Sequence, residues 1–303
     1  MRRKAFVAAI VWASVLLVWA IGSAQTPAGS LPRLAAGESL GQALGIATVP
    51  NLRDLGGYST KDGASVARGR VYRSDTFNPM SAGDLKKLAL LGLKNDFDLR
   101  TAAEAKAQPD QMPPGVRYHF LDVLADSNLA APANLDALML YEPKKANQEL
   151  GGGKVEALYI GAYREFITLP SAKRSYAALF RSLADRRNQP AVFHCTTGKD
   201  RTGWAAAALL TLLGVPQETV LADYLRANRY IIPQYQKAID AFSAAGGEKS
   251  IALAYYGVKP EYLQASFNEM RKQYGSIEKY FSEGLGVGPA EQKALRESLL
   301  IKK

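Results

Sequence analysis

The chemistry in this chain is concentrated in ten consecutive residues: His194-Cys195-Thr196-Thr197-Gly198-Lys199-Asp200-Arg201-Thr202-Gly203. Cys195 and Arg201 are separated by five residues and lie between two apolar runs, Pro190-Ala191-Val192-Phe193 and Gly203 to Leu213. These runs predict a short buried strand and a buried helix. A loop that wraps from a strand onto a helix N-terminus turns several backbone N–H groups toward one point, where the helix dipole also favours negative charge. A phosphate dianion fits such a cradle, to which Thr196, Thr197, Gly198, Lys199, Arg201 and Thr202 all contribute. The same field stabilises a thiolate and makes Cys195 a nucleophile at neutral pH. Arg201 can hold two phosphate oxygens with its planar fork, as a lysine cannot. Gly198 permits a tight backbone path, and Thr202 puts a hydroxyl near the sulfur. Lys199 adds positive potential that would help hold a substrate with a second anionic group; its plainer reading is a solvated lysine. His194 is expected to order the loop through hydrogen bonds and not to act as the base. A bare Cys-x5-Arg arises easily by chance, but inside this decapeptide, after a strand and before an apolar helix, it is specific. The order of residues also excludes a nucleotide-binding Walker loop.

Other elements must hold this loop. Asn51 to Tyr58 sets polar groups before a Gly-Gly turn, and Gly69 to Ser74 reads as a short strand. Ser81 precedes a capped helix that Gly92 closes. Phe97 and Leu99 alternate with Asp96, Asp98 and Arg100, as in a strand that runs into a loop. From Asp122 to about Gly153, Ala, Asn, Pro and a Gly151-Gly152-Gly153 run interrupt apolar islands. That composition suits a helical cover over the site or a surface insertion. Helical spacing resumes at Tyr163, Phe166 and Ile167, and again from Tyr176 to Leu183. Gly214-Val215-Pro216 ends the helix that follows the loop, and further helices reach the C-terminus. His119 reads as structural.

Met1-Arg2-Arg3-Lys4, an apolar stretch from Ala5 to Ile21 and the small residues Gly22-Ser23-Ala24 predict an export signal over 1–24. The expected location is therefore secreted or periplasmic, with an uncleaved membrane anchor as the alternative and no stable span after cleavage. Residues 25–48 read as a flexible linker, and 49–303 as the catalytic domain. Removal of the signal leaves 35 cations against 28 anions, a net of +7. No basic block with interleaved aromatics accompanies that charge, which argues against nucleic-acid binding. Cys195 is the single cysteine. An exported chain with one thiol forms no internal disulfide, and such a thiol is a hazard unless it is buried or used.

On the ten-residue loop the chain resembles the protein tyrosine phosphatase superfamily, in particular bacterial tyrosine/serine phosphatases with Gly-Lys-Asp-Arg-Thr in the signature loop. Asn51 to Tyr58, Arg70-Val-Tyr-Arg-Ser-Asp75, Asp98-Leu-Arg100 with Glu104, and Gly214-Val-Pro-x-Glu218 through Asp223-Tyr224-Leu225 extend the likeness over most of Val49 to Leu299. The resemblance implies a single α/β domain with a central, mainly parallel sheet flanked by helices, no metal or other cofactor, and a phosphocysteine intermediate. The implied substrates are phosphotyrosine proteins, with reach to phosphoserine, phosphothreonine or phosphoinositides. Many members of the superfamily protonate the leaving group from a Trp-Pro-Asp loop, which is absent here. The resemblance instead points to Asp200, with Asp98 as the alternative. The plainer reading of Asp200 is a loop anchor or a partner of Lys199 or Arg201; that of Asp98 is an arginine salt bridge. Two rival functions remain: a phosphate-binding module without turnover, and sulfur transfer or arsenate reduction. The second is disfavoured because no internal resolving thiol exists.

Overall fold

Five short strands carry the site. The computed structural model of the protein describes residues 31–127 and 132–302; the expected export signal lies outside them. Strands β1 (Arg53–Asp54), β3 (Val71–Ser74), β4 (Asn95–Asp98), β5 (Arg117–Phe120) and β6 (Ala191–His194) form one sheet in the order β1-β3-β6-β4-β5. β1 runs antiparallel to β3, and the other pairings are parallel. A two-stranded ribbon joins β2 (Ser65–Val66) to β7 (Leu300–Ile301). The sheet is thus mainly parallel, and every residue of β3, β4 and β6 is buried. Burial on both faces is what parallel strands covered by helices require.

Helix α1 (Leu40–Ala43) precedes β1, α2 (Ala82–Ala89) joins β3 to β4, and α3 (Ala102–Ala107) joins β4 to β5. Ser81 and Thr101 cap α2 and α3 with their side chains. Then come α4 (Pro132–Tyr141), α5 (Pro143–Leu150), α6 (Lys154–Thr168) and α7 (Pro170–Ala184) before β6. After the loop, α8 (Arg201–Leu212) leads to α9 (Gln217–Leu225), α10 (Ala227–Ala244), α11 (Lys249–Tyr256) and α12 (Pro260–Tyr274). In α8 all residues but Thr211 are buried, as expected of a helix apolar nearly all round. Among the described residues no helix is long and apolar enough to cross a membrane.

One expectation needs revision. The linker predicted over 25–48 is packed from Ser39 onward: Ser39 caps α1, and Leu40 and Ile46 are buried in a cluster with Val49, Leu52, Phe77 and Leu88. Its small residues hid two apolar anchors. Within 122–153, residues 123–126 and 151–153 form turns, and 132–141 and 143–150 are helical. Leu138 and Met139 of α4 and Leu150 of α5 share an apolar cluster with Ile239, Phe242 and Ile251 of α10 and α11.

Candidate active site

The chain leaves β6 at His194 and reaches α8 at Arg201, so Cys195 lies at the carboxyl end of a central parallel strand, where open α/β sheets place their ligands. The loop's carbonyls are drawn away from its centre. Asn51 Nδ2 donates to Thr197 O at 3.0 Å and Gly198 O at 3.1 Å, Arg73 Nη2 donates to Gly198 O at 2.7 Å, and the Thr76 amide donates to Thr196 O at 3.2 Å. Peptide planes whose carbonyls point outward turn their N–H groups inward. Gly198 sits at φ +65°, and a Cβ there would lie 2.2 Å from Ser74 O. Glycine is therefore demanded by both conformation and space.

The tethers are themselves anchored. Asp223 of α9 accepts from Arg53 Nη1, from Tyr58 Oη at 2.7 Å and from Arg73 Nη1 at 2.8 Å, all of them buried. Burial would raise the Asp223 carboxyl, but Arg53 and Arg73 outweigh it and hold the group ionised. Arg53 Nε in turn donates to Asn51 Oδ1 at 3.1 Å and aims its amide at the loop.

Arg201 is 9% exposed and meets Glu104 in a two-pronged pair, Nη1 to Oε2 at 2.7 Å and Nη2 to Oε1 at 2.8 Å. Thr196 Oγ1 also donates to Glu104. Burial opposes both charges, yet each partner over-compensates for the other: the Glu104 carboxyl falls well below its ordinary range, and Arg201 becomes still more basic. Among the described residues no acceptor meets Arg201 Nε, which leaves that donor for an anion.

Asp200 accepts from Tyr163 Oη at 2.8 Å and pairs with Lys199 Nζ at 2.9 Å. Tyr163, on α6, is fully buried; desolvation first, and then the Asp200 charge, push its hydroxyl well above the usual tyrosine range. It keeps its proton and donates. Lys199 is 4% exposed, with Nζ 4.6 Å from the centre of the Tyr159 ring. The solvated-lysine reading is set aside.

The comparisons agree with this geometry. The model of the tyrosine phosphatase family matches residues 44–301. The chain belongs to that family. A protein of Cupriavidus necator whose name places it among the tyrosine-protein phosphatases is 31% identical over 249 residues, covering 82% of this chain and 86% of its own. The triple specificity protein phosphatase PtpB of Mycobacterium tuberculosis is 28% identical over 273 residues, 82% of this chain and 96% of PtpB. A tyrosine-protein phosphatase of Nostoc commune is 25% identical over 234 residues, 75% and 73% of the two chains.

In this phosphatase Asp98 is fully buried and takes the arginine salt bridge. Its two oxygens accept from Arg100 Nε at 2.8 Å, Arg100 Nη2 at 2.7 Å and Tyr118 Oη at 2.8 Å. Burial would raise its carboxyl, but Arg100 and His194 overcome this and lower it. A carboxylate held ionised in this way is a poor proton donor. Thr202 Oγ1, the hydroxyl expected near the sulfur, is buried without a hydrogen-bond partner and makes no bond to Cys195. His194 Nδ1 lies 3.3 Å from Cys195 O, within the loop. Burial works against its charge, but Asp96 and Asp110 outweigh it and raise its basicity. His119 bonds Asn95 and stacks on Phe97, in a structural place.

Sequence reasoning attached no role to Glu104, Tyr163, Asn51, Arg73 or Asp223. Four of these lay inside the segments that carried the family likeness, and the signal was there to use: polar residues beside Gly-Gly or apolar runs. Tyr163 carried no signal beyond its helical spacing.

Proposed function

We propose that the phosphatase works by covalent catalysis at Cys195 with Asp200 as general acid and base. The thiolate attacks phosphorus; an S–P bond forms as the ester P–O bond breaks, and Asp200 protonates the departing oxygen. Water then attacks the phosphocysteine, Asp200 takes its proton, the S–P bond breaks, and phosphate leaves. The observation that carries this reading is the outward tethering of the carbonyls of Thr196, Thr197 and Gly198, which leaves a nest of amides beside the Glu104-held guanidinium. Cys195 is 1% exposed, so the reacting phosphate sits at the floor of the site, within reach of a long aryl phosphate such as phosphotyrosine.

The substrate range extends to phosphoserine, phosphothreonine or phosphoinositides, a reading supported by Lys199 beside the cradle and by the likeness to a phosphatase named for triple specificity. The protein acts outside the cytoplasm, as the basic, apolar and small-residue order of 1–24 supports. Turnover of p-nitrophenyl phosphate that disappears in Cys195→Ser while vanadate still binds supports the covalent route; turnover that survives the substitution refutes it. Rates compared on phosphotyrosine peptides, phosphoserine peptides and phosphoinositides test the range. Mass measurement of the mature N-terminus tests export.

A further inference from the structure

A second polar site lies beside the signature loop. Asp98 stands opposite His194 in the β4–β6 register, and Asp96, two residues earlier, shares that face of the sheet. Asp110, just beyond α3, completes the group. Among the described residues, these three are the one cluster whose donor atoms all lie within 4.8 Å of one another. His194 Nε2 is 3.3 Å from Asp96 Oδ1 and 3.2 Å from Asp110 Oδ2. Despite this closeness, Nε2 and both Asp96 oxygens lack a hydrogen-bond partner of acceptable geometry, although Asp96 and His194 are 0% exposed. Buried polar atoms left in that state are costly and call for a partner.

We propose that Asp96, Asp110 and His194 bind a divalent transition-metal cation of the zinc type. One imidazole nitrogen and two carboxylate oxygens suit such an ion. Tetrahedral bonds of about 2.0–2.1 Å put neighbouring donors about 3.3 Å apart, the spacing found between Nε2 and each oxygen. The His194 Nδ1 contact with Cys195 O directs Nε2 toward the carboxylates, as the outer contact of a metal-ligating histidine does. Asp110 is held by the Phe77 amide at 3.1 Å and by Arg100 Nη2 at 2.6 Å. Charge agrees as well. Asp98 and Asp110 pair with one guanidinium, Arg100, Asp96 adds a third carboxylate, and a divalent ion on a neutral imidazole cancels the remainder. A cleft of about 370 Å³, lined by Asp96, Asp110, Pro109, Met112 and Tyr118, gives access and leaves room for a further ligand. In binding, the cation displaces any proton on Nε2. It takes no part in phosphoryl transfer; it ties β4 and the segment after α3 to the residue that precedes the nucleophile.

Cobalt(II) titration of the intact protein, followed by visible absorption and thermal unfolding, tests the proposal. Cys195 is the competing ligand, so the titration is repeated with Cys195→Ser. One equivalent bound in both proteins, with d–d bands, no sulfur-to-cobalt charge transfer and a raised Tm, supports the site. Asp96→Asn should then weaken binding by more than about 100-fold, beyond the 10–100-fold typical of losing an outer contact. Should that variant fail to fold, the Cys195→Ser spectrum decides alone. Binding that shows charge transfer and vanishes in Cys195→Ser places the metal on the catalytic thiol and overturns the proposal. Absence of stoichiometric binding overturns it as well, leaving a protonated His194 between two carboxylates.

Discussion

Glu104 holds Arg201 fork to fork, and the same carboxylate caps α3 by accepting from the Thr101 amide at 2.9 Å. The helix start and the guanidinium plane are therefore fixed by one side chain. A bidentate grip leaves the guanidinium no freedom to rotate about its plane. What remains for substrate is the edge that carries Nε.

Glu104→Gln should lower kcat/KM for p-nitrophenyl phosphate by about 100-fold, the scale of a misplacement near 1 Å. Its amide nitrogen opposes one of the two guanidinium nitrogens. Vanadate affinity should fall in parallel, because the clamp binds the transferring group. The carboxyl is held below its ordinary range, so its stabilising effect is full above the unfolded value and is lost only as pH falls through the lower folded value. Activity between pH 5 and 8 should therefore show no step from Glu104. Normal vanadate binding in the variant would contradict the positioning role.

The nucleophile, its loop and the flanking strand and helix were legible because chemistry and apolar periodicity coincide there. The alternation of Phe97 and Leu99 with Asp96, Asp98 and Arg100 marked β4 as a strand running into a loop. All four strand residues are buried, because the polar face meets Arg100, Tyr118 and His194 instead of water. Such partners lie up to about a hundred positions away, beyond the reach of local pattern. The same holds for Glu104 and Arg201, 97 residues apart, and for Asp223 and Arg73, 150 apart. Local spacing identifies what a residue can do; the tertiary partner decides whether it does it.

Tyr163→Phe removes the hydroxyl that aims Asp200 and leaves the Tyr224 hydroxyl short of a partner. The unfolding free energy should drop by about 1–3 kcal/mol. Phosphotyrosine turnover should slow by about 10-fold, less than the 10²–10⁴-fold that the positioned acid itself contributes. In an Asp200→Asn background the same change should add no further loss of rate. Additive losses would mean that Tyr163 acts independently of Asp200.

Asp75 sits against the loop, and its carboxyl is pushed up to about 8, chiefly by burial, against the opposing help of backbone amides and Ser74. The native state keeps a proton that the unfolded chain releases near 3.8. Stability from this group is thus complete below that value and is lost as pH rises toward 8, by up to about 1.4 kcal/mol per unit. Asp75→Asn should flatten the decline, so its Tm relative to wild type should rise between pH 5 and 8. Parallel Tm curves for the two proteins would rule this out.

The proton donor gives the sharpest test. A phenol bearing strongly electron-withdrawing groups leaves without protonation, whereas a serine alkoxide does not. Asp200→Asn should therefore slow phosphoserine and phosphotyrosine substrates by about 100-fold or more while barely affecting activated aryl phosphates, within the 10²–10⁴-fold of general acid catalysis. Single-turnover phosphorylation of Cys195 should then depend steeply on leaving-group pKa, as it does not in the wild type. Asp200 also pairs with Lys199, so the substitution frees a buried cation beside the cradle, and a general loss of rate could come from distortion. Vanadate affinity separates the two causes. With affinity normal, selective slowing of poor leaving groups assigns the acid to Asp200. With affinity normal and all substrates slowed equally, Asp200 is a loop anchor and water carries the proton, since Asp98 is committed to Arg100.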